Sequence, residues 1–213
     1  MKKIFKMTKT EINQKILEIM DIDSLEPFDS KLFKKLFFRC DFNIFSKKGN
    51  NPILFLLKFH KTKHLSFQPQ EIYQVLQSLT SHTEIKDQNG YTPFMLFLQY
   101  HQSENFNLSS IEIFSILNNL VENGNFAIPN KDGNHIFYFL IHNNKTQNLQ
   151  LSSTQIYDLL KKINLNYTNH AGFKLISYVI NCNEEQHLNL SFEQLNSLLK
   201  LSFHGKIIQK YNL

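Results

Sequence analysis

Asp87-Gln88-Asn89-Gly90-Tyr91-Thr92-Pro93-Phe94-Met95-Leu96-Phe97-Leu98 is a turn followed by the opening of a helix. Glycine at position 90 permits a backbone with φ > 0. Thr92 can cap a helix, and Pro93 suits its first position, where no N–H is needed. Gly90 belongs to a series with Gly49, Gly133 and Gly172, at steps of 41, 43 and 39 residues. Each glycine is followed 23 residues later by the head of a second apolar run, at Ile72, Ile113, Ile156 and Leu195. A fixed period with a fixed internal offset predicts stacked units, each too small to bury its own apolar face.

Between the two runs lies a polar loop rich in Asn, Gln, His and Ser, as in His101 to Asn107 and Asn143 to Gln150. Leu-Ser closes it at 65–66, 108–109, 151–152 and 190–191. Ser109 with Glu112, Ser152 with Gln155 and Ser191 with Gln194 are capping boxes for the second helix. In the first copy two extra residues intervene, and Pro69 is expected to start the helix. Ile113, Ile116, Leu117 and Leu120 then follow helical spacing. Alternating pairs precede each glycine: Phe42 and Ile44, Thr83 and Ile85, Phe126 and Ile128, Leu165 and Tyr167. They predict a short hairpin or extended finger.

The fold class expected is therefore all-α: a helical-repeat solenoid of helix–loop–helix units of about 41 residues with short hairpin-like connections. One repeat domain spans 1–213, with an N-terminal capping repeat at 1–45. Repeats follow at 46–86, 87–129, 130–168 and 169–213, the last closing the stack from Leu199. Thr8 with Glu11 caps a first helix bearing Ile12, Ile16, Leu17 and Met20. A second, near Ser30 to Phe38, carries Leu32, Phe33, Leu36 and Phe37.

These features resemble ankyrin repeats. The family pattern D-x-x-G-x-T-P-L-H-x-A-A is met at Asp87, Gly90, Thr92 and Pro93, and its closing G-A-D-V-N is echoed by Cys40-Asp41-Phe42-Asn43. The likeness covers residues 30–200, with a period longer than the family's roughly 33 residues. The family's small A-A pair is replaced by Leu56-Leu57, Phe97-Leu98, Leu140-Ile141 and Val179-Ile180. The resemblance therefore implies a divergent array with longer inner helices or ordered loops.

It also implies protein binding through a concave face, a monomer when free, and no cofactor. Three columns of variable positions cross that face: Asn50, Tyr91, Asn134 and Phe173; Phe55, Leu96, Phe139 and Tyr178; Lys58, Gln99, His142 and Asn181. The second is an aromatic stripe if exposed, and core if wider helix spacing buries it. Small ankyrin-like proteins with Asn-rich loops and this Lys, Asn, Ile and Phe bias are similar to effectors that intracellular bacteria deliver into host cells. The expected partner is a host protein or another effector.

Other classes are weighed against this. Residues 1–64 hold 14 Lys/Arg against 7 Asp/Glu, while the remainder holds 9 against 11. A basic end could meet nucleic acid or acidic lipid. The single arginine, Arg39, counts against nucleic acid. His60, His101 and His142 recur near the inner-helix ends, but a repeat spacing of roughly 10 Å is too wide to share a metal ion. Cys182 with His187 lacks an orienting group, Cys40 reads as packing, and no nucleotide or hydrolase motif is present. No catalytic residue is nominated; an enzyme or enzyme-modulating domain on this scaffold is the alternative. No apolar run approaches the roughly 18 residues of a membrane span, and the basic start lacks the apolar core of a Sec leader. Two cysteines imply no disulfide framework and a reducing, cytoplasmic setting, with export only by another route.

Overall fold

The computed structural model describes residues 6–21, 28–80, 85–123 and 126–211, with side chains through Phe203. Thr83, the opening residues 1–5 and the last two residues lie outside the described residues, so expectations that rest on them go no further. Among the described residues ten helices follow one another: α1 Lys9–Met20, α2 Ser30–Phe37, α3 Pro52–Phe59, α4 Pro69–Ser78, α5 Pro93–Tyr100, α6 Ser110–Glu122, α7 Ile136–Asn143, α8 Ser153–Leu160, α9 Leu175–Cys182 and α10 Phe192–Tyr211. No helix among the described residues is long and apolar enough to cross a membrane.

The helices form two layers. In one, α1 packs on α3, α3 on α5, α5 on α7 and α7 on α9; in the other, α4 packs on α6 and α6 on α8. Between the layers runs one continuous apolar core. Leu56, Phe97, Leu140 and Val179, each seven residues after its glycine, are fully buried. The i, i+3, i+4, i+7 set of α6 is buried as its spacing requires. Thr8 and Glu11 cap α1 reciprocally, with Thr8 N–H donating to Glu11 Oε2 at 2.7 Å.

The four glycines share one turn. Gly90 N–H donates to Asp87 O and Asp87 N–H to Tyr91 O; Ser46–Asn50, Asn130–Asn134 and Asn169–Phe173 repeat the pattern. This is a type I turn followed by a left-handed glycine, the tip of a three-residue hairpin loop. The flanking residues do not extend into strands: among the described residues only the isolated bridge Thr168–Lys174 forms. The finger is thus a turn held by side chains. Asp87 Oδ1 accepts from Asn89 and Tyr91 N–H, and Asn130 Oδ1 from Asp132 and Asn134 N–H. At Gly90 a Cβ would lie 3.0 Å from Asn130 Cα, and at Gly133 2.7 Å from His170 N. Each tip sits on the next.

The long loops are ordered, and the inner helices α3, α5, α7 and α9 are short, at eight residues each. After each, the chain makes one more turn and ends on a left-handed residue: His64, Asn105, Asn148 or His187. The next residue, Leu65, Phe106, Leu149 or Leu188, returns its N–H to the carbonyl five residues back and is fully buried. That is a Schellman stop with its hydrophobic contact, and asparagine tolerates the left-handed position better than most residues. A second left-handed residue follows at Ser66, Asn107, Gln150 and Asn189. The first copy has no insertion. Phe67 and Gln68 occupy the places of Leu108 and Ser109, and Glu71 Oε2 accepts from Gln68 N–H.

Candidate functional site

The variable columns converge where three repeats meet. Tyr91, Asn134, Phe139, His142 and Tyr178, all drawn from the variable positions, line a cavity of about 250 Å³ together with Tyr138 and Asn169. The ring of Tyr91 meets Phe139 edge-on, with centroids 5.4 Å apart. Tyr138 lies 5.4 Å from Tyr178. His142 Nδ1 is 3.0 Å from the Tyr178 hydroxyl, across the α7–α9 seam. Asn169 donates to Asn134 Oδ1 at 2.8 Å, joining two neighbouring tips. A second recess of about 330 Å³ adjoins the first through Phe139 and His142, and Gln99, Tyr100 and Gln147 line it too.

No family model matches this chain, and no curated protein is similar to it in sequence. What the site can do therefore rests on its chemistry. Its lining has aromatic rings, amides and hydroxyls, and no carboxylate, lysine or arginine. Burial pushes the phenols of Tyr138 and Tyr178 up to about 12, so both remain hydroxyl groups at neutral pH. The Tyr138 hydroxyl is already committed to Phe173 O at 2.6 Å and Tyr167 O at 3.2 Å. Burial also pushes the Cys182 thiol up, the opposite of what a nucleophile needs.

The remaining candidate residues lie elsewhere. Phe55 and Leu96 are buried, so the aromatic stripe divides: its first half is core and its second half, Phe139 and Tyr178, opens to the groove. Asn50 is half-buried and donates to Asp21 Oδ1 and Met20 O, tying the first tip to the end of α1. Lys58 pairs with Asp87 at 2.8 Å and ties one repeat to the next. Phe173 and Asn181 are exposed on the last repeat and do not line either recess.

The histidine column dissolves once register is taken into account. His60 and His101 lie eleven residues after their glycines, and the matching residues are Asn144 and Asn183, not His142. His60 Nδ1 meets Glu104 O at 2.8 Å, His101 Nδ1 meets Gln147 O at 3.0 Å, and Asn144 donates to Gln186 O at 3.1 Å. The column is a ladder of side-chain ties from each loop to the next. Among the described residues no three His, Cys, Asp or Glu gather at one point.

Several cations of the basic end are also engaged internally. Lys34 holds Glu71 at 2.6 Å and donates to Ser66 O, Lys48 donates to Asp21 O, and Lys63 lies over the Phe28 ring.

Sequence reasoning missed Tyr138 and Asn169. Both carried a signal. Tyr138 is the one phenol in a column shared with Leu54, Met95 and Ser177, and Asn169 belongs to the turn-opening column Ser46, Asp87, Asn130.

Proposed function

We propose that this chain is a non-enzymatic binding module, an ankyrin-like array whose uncharged aromatic groove receives a segment of a partner protein. The observation that carries the reading is the convergence of Tyr91, Phe139 and Tyr178, from three successive repeats, on one cavity without a charged lining residue. Aromatic side chains offer large contact area with few torsions to freeze, and hot spots are enriched in Tyr. Asn134, Gln99 and His142 supply donors and acceptors for a peptide backbone at the groove edge. The compositional likeness to delivered bacterial effectors supports a host protein, or another effector, as the partner class.

The test is selection of peptides from a displayed library on the immobilised protein, followed by calorimetry with the best binder. Phe139→Ala should weaken that binder at least about tenfold, and Ile111→Ala, on the exposed start of α6 away from the groove lining, should leave it unchanged. No enriched sequence, or equal binding by both variants, rejects the groove as the site.

A further inference from the structure

The cavity shared by three successive repeats is walled differently from the rest of the apolar interior. Leu and Ile dominate the core between the layers, yet no aliphatic side chain lines the cavity. Beside two amides and an imidazole, its walls are the rings of Tyr91, Tyr138, Phe139 and Tyr178. The rings stand at angles to one another. Tyr91 meets Phe139 at 72° and Tyr138 meets Tyr178 at 47°, with 5.4 Å between centroids in each pair. Tyr91, Phe139 and Tyr178 are half-buried, so these rings keep surface open to a ligand.

The polar atoms of the wall are largely engaged with one another. Asn134 Oδ1 accepts from Asn169, and Asn169 Oδ1 accepts from Phe173 N–H at 3.0 Å. The Tyr138 hydroxyl donates to Phe173 O, and the Tyr178 hydroxyl lies against His142 Nδ1. What the cavity offers in quantity is aromatic surface, with no fixed charge.

That surface discriminates among the side chains of a partner segment. An acidic side chain would meet the negative faces of the rings. The ammonium of an ordinary lysine is strongly hydrated and brings three N–H donors; here it finds no carboxylate, and both amide oxygens are taken. An aliphatic side chain would gain nothing from rings that aliphatic walls would not supply. A trimethylated ammonium keeps its positive charge, has no N–H to satisfy, and is attracted to aromatic faces within about 6 Å. No lysine or arginine lines the cavity to repel it. Beyond residue 64 the chain holds 9 Lys/Arg against 11 Asp/Glu, so the repeats around the cavity oppose no cation overall.

We propose that the cavity recognises trimethyl-lysine on the partner segment, with the quaternary nitrogen held against the rings of Tyr91, Phe139 and Tyr178; this rests on the groove as the seat of that segment and names the side chain it brings.

The test is titration of the full chain, followed by nuclear magnetic resonance, with three small probes. These are acetyl-trimethyl-lysine amide, acetyl-lysine amide with a free side-chain ammonium, and the neutral isostere in which carbon replaces the quaternary nitrogen. The trimethyl-lysine probe should bind with a Kd of order 1–10 mM, and the other two at least about tenfold more weakly. Tyr91→Leu removes one ring and keeps an apolar side chain; it should weaken the trimethyl-lysine probe at least about threefold, while Tyr91→Phe stays within about twofold of the native protein. No binding of the trimethyl-lysine probe up to about 50 mM overturns the proposal. So does equal binding of the carbon isostere, or equal binding by Tyr91→Leu and Tyr91→Phe. In any of those cases the library-selected peptides still judge the groove: their loss on Phe139→Ala keeps the partner-segment reading while trimethyl-lysine recognition falls. If neither the peptides nor the trimethyl-lysine probe responds to Phe139→Ala, both fall together.

Discussion

His142 and Tyr178 meet across the seam between two repeats, Nδ1 to phenol oxygen at 3.0 Å, and both line the cavity where the variable columns converge. In the first repeat the equivalent of His142 is Lys58, which reaches Asp87 instead.

The groove and the core should separate in their responses to truncation. Phe139 is half-buried and faces the cavity, while Phe137 is buried in the core. Phe137→Ala is expected to cost about 3–5 kcal/mol, and Phe139→Ala well under about 2 kcal/mol, since much of its surface already meets water. Urea unfolding followed by circular dichroism measures both. A cost for Phe139→Ala equal to that of Phe137→Ala would mean that the ring is core.

The glycine tips supply an internal control. Gly90, Gly133 and Gly172 all have φ near +80°, so alanine meets the same backbone strain at each. At Gly90 and Gly133 its Cβ also meets the next tip, and at Gly172 nothing lies within 4 Å. Gly90→Ala and Gly133→Ala should each cost about 1–3 kcal/mol, and Gly172→Ala measurably less. Equal losses in thermal unfolding would show that the tip-to-tip contact contributes nothing.

The left-handed loop residues hold strain that glycine relieves. Gln150 is exposed with φ +54°. Gln150→Gly should stabilise the fold by up to about 1 kcal/mol, because the relieved Cβ strain exceeds the added freedom of the unfolded chain. Phe106→Ala, which empties the buried plug of the equivalent stop, should cost about 3–5 kcal/mol. A destabilised Gln150→Gly protein would count against a strained left-handed backbone at this position.

Stability should fall on the acid side of neutrality. His135 caps α7, with Nδ1 accepting from Phe137 N–H at 3.2 Å, and its ring packs on Tyr138 and Tyr167. Burial lowers its pKa from 6.5 to about 4, and lowers that of His101 as well. An unfolded His135 takes a proton below about pH 6.5 and the folded one only near 4, so between these values the unfolded chain binds more protons. The stability associated with the neutral ring is complete above pH 6.5 and is lost as pH falls toward 4, by on the order of 3 kcal/mol. His135→Asn retains a capping side chain, as Asn51 does in α3. It should flatten the profile of melting temperature against pH. An unchanged slope in this variant would assign the acid sensitivity to other groups.

Much of the architecture could be read from local chemistry. The glycine ruler, Thr92-Pro93, the capping boxes and the spacing of Ile113 to Leu120 each act within a few residues of themselves, so their consequences survive without knowledge of neighbours. The expected fingers shortened to tips because their alternating residues find no facing strand. The extra length of each unit became a Schellman stop because Asn105 and Asn148 tolerate φ > 0, a property that the Asn-rich loops already showed without its geometry.

Contacts between units were another matter. The sequence alone determined the repeat, the helix pairs and the variable columns. Only the tertiary structure decided that Phe55 and Leu96 are core while Phe139 and Tyr178 open to a cavity. It also decided that His60 and His101 hold carbonyls of the next loop, and that Ile180, Leu201 and Phe203 lie uncovered. The physical reason is that exposure in a stacked array depends on the adjacent unit. A side chain at a given offset is buried or free according to what packs on it from about forty residues away, and no local pattern records that.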